Sequence, residues 1–318
     1  MGRLVLHRLA ATVPVLLLVT AGVFALLHLT PGDPIDAMMA ESVDAEAKAS
    51  LRKELGLDRP IHEQYAAWMR RLLRGDLGRS IRNGEPVIEN VSRRIRPSLE
   101  LALLAMAVSL LIAFPVGIVS AARRNTAVDR AGTSFALFGI CMPNFLLALL
   151  LIFLFGVTLR WLPISGYTDP VEEPLNGLRS LLLPAVTLGL ALAAVITRTL
   201  RSSMLEALGE DYVRTARAKG LSEWRVIRGH VLKNALIPVV TILGLQFGNV
   251  LSGAVVVEVI FGRSGIGSYL VQAIQAKDIP AVQSVVLFIA VLYILINLVV
   301  DLAYGILDPR IRLSWVRS

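Results

Sequence analysis

Residues able to do chemistry are few and scattered in this 318-residue sequence. The segment Gly262-Arg263-Ser264-Gly265-Ile266-Gly267 approaches the sharp turn that presents a nucleophilic serine. A G-x-S-x-G elbow needs glycine at 266, where isoleucine stands. A glycine-rich turn is therefore the reading, and a hydrolase pairing Ser264 with His28 the alternative. No G-x-x-x-x-G-K-[ST] occurs, which argues against a P-loop nucleotide site in this chain. His7, His28, His62 and His230 lack zinc spacing, so no metal site is expected. Cys141 is the sole cysteine and reads as a small buried hydrophobe. No catalytic residue is assigned.

Polar residues inside apolar runs are the next candidates, because lipid tolerates them only where they face protein or water. Gln246 and Asn249 share one helix face with Gly253, and could line a water-filled path or bond a neighbouring helix. Gly244, Gly248 and Ser252 form a second stripe of small residues, suited to close helix–helix contact. Glu258 lies among valines near the end of the same run, and an outer gate is one role for it.

The polar segment 201–234 is too long for a simple turn. Leu205, Leu208, Tyr212 and Ala216 mark one helix face, and Gly220 ends the pattern. Ser222 can cap a second helix through Val226, Ile227 and Val231. The spacing predicts helix–turn–helix with a basic tip, either lying on a membrane surface or docking a separate motor.

The elements that position these residues are apolar spans. Hydrophobic residues make up 55% and charged ones 18%, against about 25% charged in soluble domains. Mean hydropathy is +0.66. Six apolar runs approach the length a helix needs to cross a bilayer: 9–29, 99–120, 131–158, 181–199, 235–261 and 281–307. All must be helices, since lipid cannot satisfy an open backbone. A kink at Pro143 is expected in the third. The net charge of +8 does not point to nucleic acid, because the basic residues are spread between the spans. With the N-terminus inside, the short outer loops hold only Arg160, Arg179, Arg263 and Lys277, so both termini are expected on the cytoplasmic side. The first run is longer than a secretory h-region and reads as an uncleaved anchor.

The organisation expected is an anchor helix 1–29, an extracytoplasmic cap 30–98, a five-helix core 99–307 and a tail 308–318. In the cap, Asp44 could cap a helix carrying Leu51 and Leu55. Ile61, Tyr65, Trp68 and Leu72 predict a second amphipathic helix.

Asp211-Tyr212-Val213-Arg214-Thr215-Ala216-Arg217-Ala218-Lys219-Gly220-Leu221-Ser222 resembles the inner-loop signature of binding-protein-dependent ABC importer permeases, in the form used by the peptide/nickel family. The general signature is E-A-A-x-x-x-G, nine residues, then I-x-L-P. Ala216, Gly220 and Leu232 match it, while Arg214, Thr215, His230 and Lys233 depart. The departures, with Asn234–Pro238, resemble the peptide-transporter branch. Pro31–Pro34, Gly75–Gly78 with Ser80 and Pro97, Phe261–Gly267 and Leu307–Arg310 also look like the first permease of a dipeptide or oligopeptide importer. The resemblance spans essentially the whole chain.

It implies an all-α integral membrane protein of the type I ABC importer permease fold, with six transmembrane helices and a helical extracytoplasmic insertion after the first. It further implies a bacterial inner-membrane location, a second homologous permease subunit, two P-loop ATPase domains, an extracytoplasmic solute-binding protein and a peptide-like substrate. ATP and magnesium would sit on the ATPases, with no cofactor in this chain. Residues Arg214, Thr215, Ala216, Arg217, Ala218, Lys219, Gly220 and Leu221 correspond to the family's coupling helix. Gln246, Asn249 and Glu258 are the candidates for path or gate. An intramembrane enzyme or a passive channel is the alternative, although an enzyme needs convergent titratable groups that the spans do not offer.

Overall fold

The computed structural model describes residues 2–29 and 58–307, with Glu46, Ser50 and Lys53 between them. The expectations for Asp44, Leu51, Leu55, Pro31–Pro34 and the tail 308–318 lie outside the described residues. Among the described residues no strand forms, and one β-bridge pairs Arg79 with Pro86. The helices are α1 (Gly2–Leu29), α2 (Ile61–Leu73), α3 (Val87–Ala122) and α4 (Ala127–Cys141). Next come α5 (Asn144–Leu151), continued by the π-helical Ile152–Thr158, and α6 (Pro174–Leu208). After these stand α7 (Asp211–Ala218), α8 (Glu223–Val226) with the π-helical Ile227–Val231, and α9 (Leu232–Ile260). The last are α10 (Ile266–Gln275) and α11 (Ile279–Leu307).

Among the described residues, four helical runs are each long and apolar enough to cross a membrane: Val87–Ala122, Pro174–Leu208, Glu223–Val250 and Ile279–Val299. The pair α4–α5, taken as one span, makes a fifth, and α1 carries a shorter apolar stretch, Thr12–Ala25. The third span differs from the expected kink. It is broken, with its halves bent by 106°. The cause is local. Pro143 crowds the residue before it out of the α region, and Met142 sits at ψ 120° while Pro143 itself is at ψ 135°. Two consecutive extended residues end one helix and start another.

The chain divides into two compact units. One is Pro97–Ser264 with the chain from Ile296 onward. Its core gathers Leu101 and Ala105 of α3, Leu188, Ile196 and Leu200 of α6, and Val239 and Val257 of α9. Helix α6 is its centre, packed against α4, α5 and α9. Its apolar window is 72% buried, against 28% or less in the other single-helix spans. Close packing depends on glycine: a Cβ on Gly189 would meet the Ala105 carbonyl at 2.9 Å, and one on Gly139 would meet the Ala194 Cβ at 2.7 Å.

The other unit is Gly2–Arg96 with Gly265–Leu295. The predicted amphipathic helix forms as α2, whose Tyr65 and Trp68 pack their rings on Phe24 of α1. The Tyr65 hydroxyl lies 2.9 Å from that of Thr20. Val87, Val91, Ile266, Tyr269, Ala281 and Val285 form a second core. Asp278 accepts the Ser80 hydroxyl and the Ile81 N–H, and Ser284 donates to the Leu77 carbonyl at 2.6 Å. The stretch between α2 and α3 is thus folded. Helix α3 also begins at Val87, ahead of the run expected from Leu99.

Candidate functional site

The segment 201–234, expected to be a helix–turn–helix with a basic tip, is shorter than its sequence suggested. Leu205 and Leu208 belong to the end of α6, which stops at Gly209, whereas Tyr212 and Ala216 belong to α7. The second helix is the start of the fifth span, because α8 runs through a π-helical turn into α9. Ser222 stands at the N-cap position, yet its side chain makes no capping hydrogen bond. Gly220 does turn the chain, at φ +78°.

What remains is a tight hairpin, Gly209–Ser222, set between two spans. Val213 and Ala216 of α7 are buried against Val226, Ile227 and Val231. Each such valine contributes roughly 1.5–3 kcal/mol by leaving water. Asn234 Nδ2 donates to the Tyr212 hydroxyl at 2.9 Å, tying α7 to the first turn of α9. Arg217 clasps Glu223 across the turn with two bonds, at 2.6 and 3.1 Å. This bond holds the Arg217 guanidinium above its ordinary pKa. Both partners are well exposed, so the pair is worth about 1 kcal/mol at most, and the buried face sets the hairpin's rigidity. Outward it presents Arg214, Thr215, Arg217, Ala218, Lys219 and Gly220, with Leu221 half-buried. Trp224, 62% exposed, stands beside them with Arg225 and Arg228.

Gln246 and Asn249 line a cavity of about 370 Å³ within the first unit. Its walls are the α4–α5 break at Met142, Pro143 and Asn144, and the apolar face of α6 at Leu188, Leu192 and Val195. Asn249 Nδ2 donates to Gln246 Oε1 at 2.8 Å. Gly253 also borders it, and Gly244 and Gly248 are buried as the small-residue stripe required. Asn144 was not a sequence candidate; the Pro143-Asn144 pair was its only signal.

Glu258 is elsewhere. It is 1% exposed and accepts the Ser98 hydroxyl of α3. Beside it Arg263, equally buried, donates to the Pro97 carbonyl at 3.3 Å and lies 4.9 Å from the Tyr167 ring centre. Tyr167 donates to Glu100 at 3.3 Å. Burial pushes the Arg263 guanidinium below its ordinary pKa, opposed by the nearby carboxylates Glu100 and Glu258. Along the chain Arg263 reads only as a loop charge. Cys141, expected to be buried, is exposed on the protein surface at the end of α4. Ser264 comes directly after this cluster in the turn before α10, while the His28 side chain lies outside the described ones. Among the described residues no group of His, Cys, Asp or Glu could hold a metal.

Similar proteins share this architecture. Residues 113–313 match the family described as binding-protein-dependent transport system inner membrane component. Residues 1–102 match the corresponding N-terminal family. The chain is 40% identical over 312 residues to the "Probable peptide ABC transporter permease protein y4tP" of Sinorhizobium fredii (strain NBRC 101917 / NGR234), covering 98% of this chain and 100% of that protein. It is 42% identical over 308 residues to the glutathione transport system permease protein GsiC of Salmonella choleraesuis (strain SC-B67), covering 97% of this chain and 98% of that one. Among solved structures, the inward-facing MetNI methionine ABC transporter aligns with a TM-score of 0.58 at 18% identity, over 70% of this chain and 99% of that one. Helices, break and central α6 together with these matches show that the chain belongs to the binding-protein-dependent transport system inner membrane components: it is a non-catalytic membrane-spanning permease subunit of an ABC importer.

Proposed function

We propose that this permease moves short peptides or similar small solutes into the cytoplasm by alternating access, driven through the Arg214–Leu221 segment. One observation carries the mechanism. The hairpin is the covalent link between α6 and the continuous α8–α9 helix, and both α6 and α9 line the cavity. Val195 lies thirteen residues before the end of α6, about 20 Å of helix, and Gln246 twenty-three after Glu223, about 35 Å, so continuous helix connects hairpin to cavity on each side. A push on the hairpin reaches both walls. Moving a two-state pore from 1:99 to 99:1 takes about 5.5 kcal/mol of differential binding. A hairpin held by several buried apolar side chains can transmit that; one held by its exposed ion pair could not.

The assembly proposed has this chain beside a second homologous permease, with two P-loop ATPase domains carrying ATP and magnesium on the cytoplasmic side. A solute-binding protein delivers cargo outside, and the exposed Arg214, Arg217, Lys219 and Trp224 face the ATPase. Both termini then lie in the cytoplasm. The peptide assignment is supported by the names of relatives at 40–42% identity over nearly the full chain. Purification in mild detergent, followed by reconstitution with the binding protein, tests it. An ATPase and a second permease should co-purify, and uptake of a labelled dipeptide should require internal-face ATP. Uphill uptake by this chain alone would refute it.

A further inference from the structure

We infer that the cavity at the α4–α5 break is a cargo-contact station that reads the peptide bond itself, through the carboxamides of Gln246, Asn249 and Asn144, and not the charge of the cargo. This deepens the peptide reading above and rests on it. Three observations converge. First, at about 370 Å³ the cavity falls in the range of small-ligand sites, roughly 300–1,000 Å³. Second, its lining contains Asn144, Gln246 and Asn249 as polar side chains and no Asp, Glu, Lys, Arg or His. Such a set can hydrogen-bond but cannot select for charge.

Third, the carboxamides are arranged to complement an amide. Asn249 Nδ2 donates to Gln246 Oε1. That bond uses one of the two Asn249 N–H groups and one lone pair of Gln246 Oε1, and leaves the Gln246 NH₂ donors and the Asn249 Oδ1 acceptor outside it. One donor beside one acceptor matches the C=O and N–H of a peptide unit. The facing wall, Leu188, Leu192 and Val195, is apolar and has no hydrogen-bonding side chain with which to discriminate among cargo side chains. Gly253 sets the space: a Cβ there would sit 3.7 Å from Asn144 Nδ2 and from a Leu188 methyl, an ordinary contact. A methyl fits, and a branched side chain would project further toward Asn144 and Leu188.

The test uses the complete importer in proteoliposomes with saturating, cargo-loaded binding protein, and labelled Ala–Ala, Ala–Lys and Ala–Glu as cargo. The wild type should move all three at similar maximal rates. Asn249→Asp should raise the Ala–Lys to Ala–Glu uptake ratio at least tenfold, because a carboxylate now faces the cargo. Asn144→Asp reads the same ratio should the first variant fail to assemble. Gly253→Leu should cut uptake of all three at least tenfold, and Gly253→Ala should cut it by less. An unchanged ratio in an assembled, transporting Asp variant overturns the inference and leaves the peptide reading intact. A wild-type complex that moves none of the three dipeptides sinks the peptide reading itself, and this inference with it.

Discussion

At the scale of single residues, the clearest energetic commitment is the Asp129–Arg201 pair. The two bonds are 2.6 and 2.9 Å long, and the Asp129 side chain is 5% exposed. Removing one partner of such a pair leaves an uncompensated buried charge, which costs about 3–5 kcal/mol. Arg201→Leu is therefore expected to lower the complex's thermal midpoint in detergent and its yield, and Arg201→Leu with Asp129→Leu to recover much of the loss. Equal instability of the single and double variants would show that the pair contributes through packing alone. Gly220 is the opposite case. A Cβ there meets nothing within 4 Å, yet φ is +78°. The cost of a side chain is thus purely conformational, roughly 1–2 kcal/mol or more for a β-branched residue. Gly220→Val should assemble normally and lose most ATP-driven uptake. Near-normal coupled transport would remove the hairpin from the mechanism.

At the scale of elements, two irregularities matter. The break at Met142–Pro143 opens the wall of the cavity, and its cause is the proline's effect on the residue before it. Pro143→Ala removes that constraint and lets α4 and α5 approach one continuous helix. Spin labels at 134 and 154, in a background with Cys141 replaced, would then sit about 30 Å apart, against roughly 18 Å for two arms bent through 106°. The expected result is a longer distance together with reduced uptake. An unaltered distance would mean that packing of Gly139 on Ala194 holds the bend without the proline. The second irregularity is the π-helical Ile227–Val231. It adds a residue to the turn, so that Val226, Ile227 and Val231 all face the core that seats α7.

At the scale of the whole molecule, the testable quantity is which side of the membrane each loop occupies. The hairpin should face the cytoplasm and the Gly166 turn the exterior. With Cys141 replaced, Ala218→Cys should react with an impermeant maleimide only in inside-out vesicles, and Gly166→Cys only in right-side-out ones. Both positions are exposed in this chain, and labelling is done on vesicles of this permease without the ATPase, so that no docked motor covers Ala218. The reverse pattern would overturn the proposed orientation and the docking of any cytoplasmic motor on this hairpin.

By itself, the sequence determined the features that solvent and residue spacing impose. Lipid as solvent forces long apolar runs into helices, so the spans were legible, as were α2 from its amphipathic period and the turn at Gly220. Gln246 and Asn249 were legible as candidates, for a water-filled path or for a bond to a neighbouring helix, because polar groups in an apolar helix stand out. Only the tertiary structure decided which of the intramembrane polar residues belong together. Glu258 reads like Gln246 and Asn249 along the chain, yet it bonds Ser98 of α3 while Asn144 joins Gln246 and Asn249 from another span. The reason is that periodicity fixes the face of a helix but not its neighbour. Partners such as Ser98 for Glu258 and Arg201 for Asp129 are brought together by packing around α6, which no local pattern encodes.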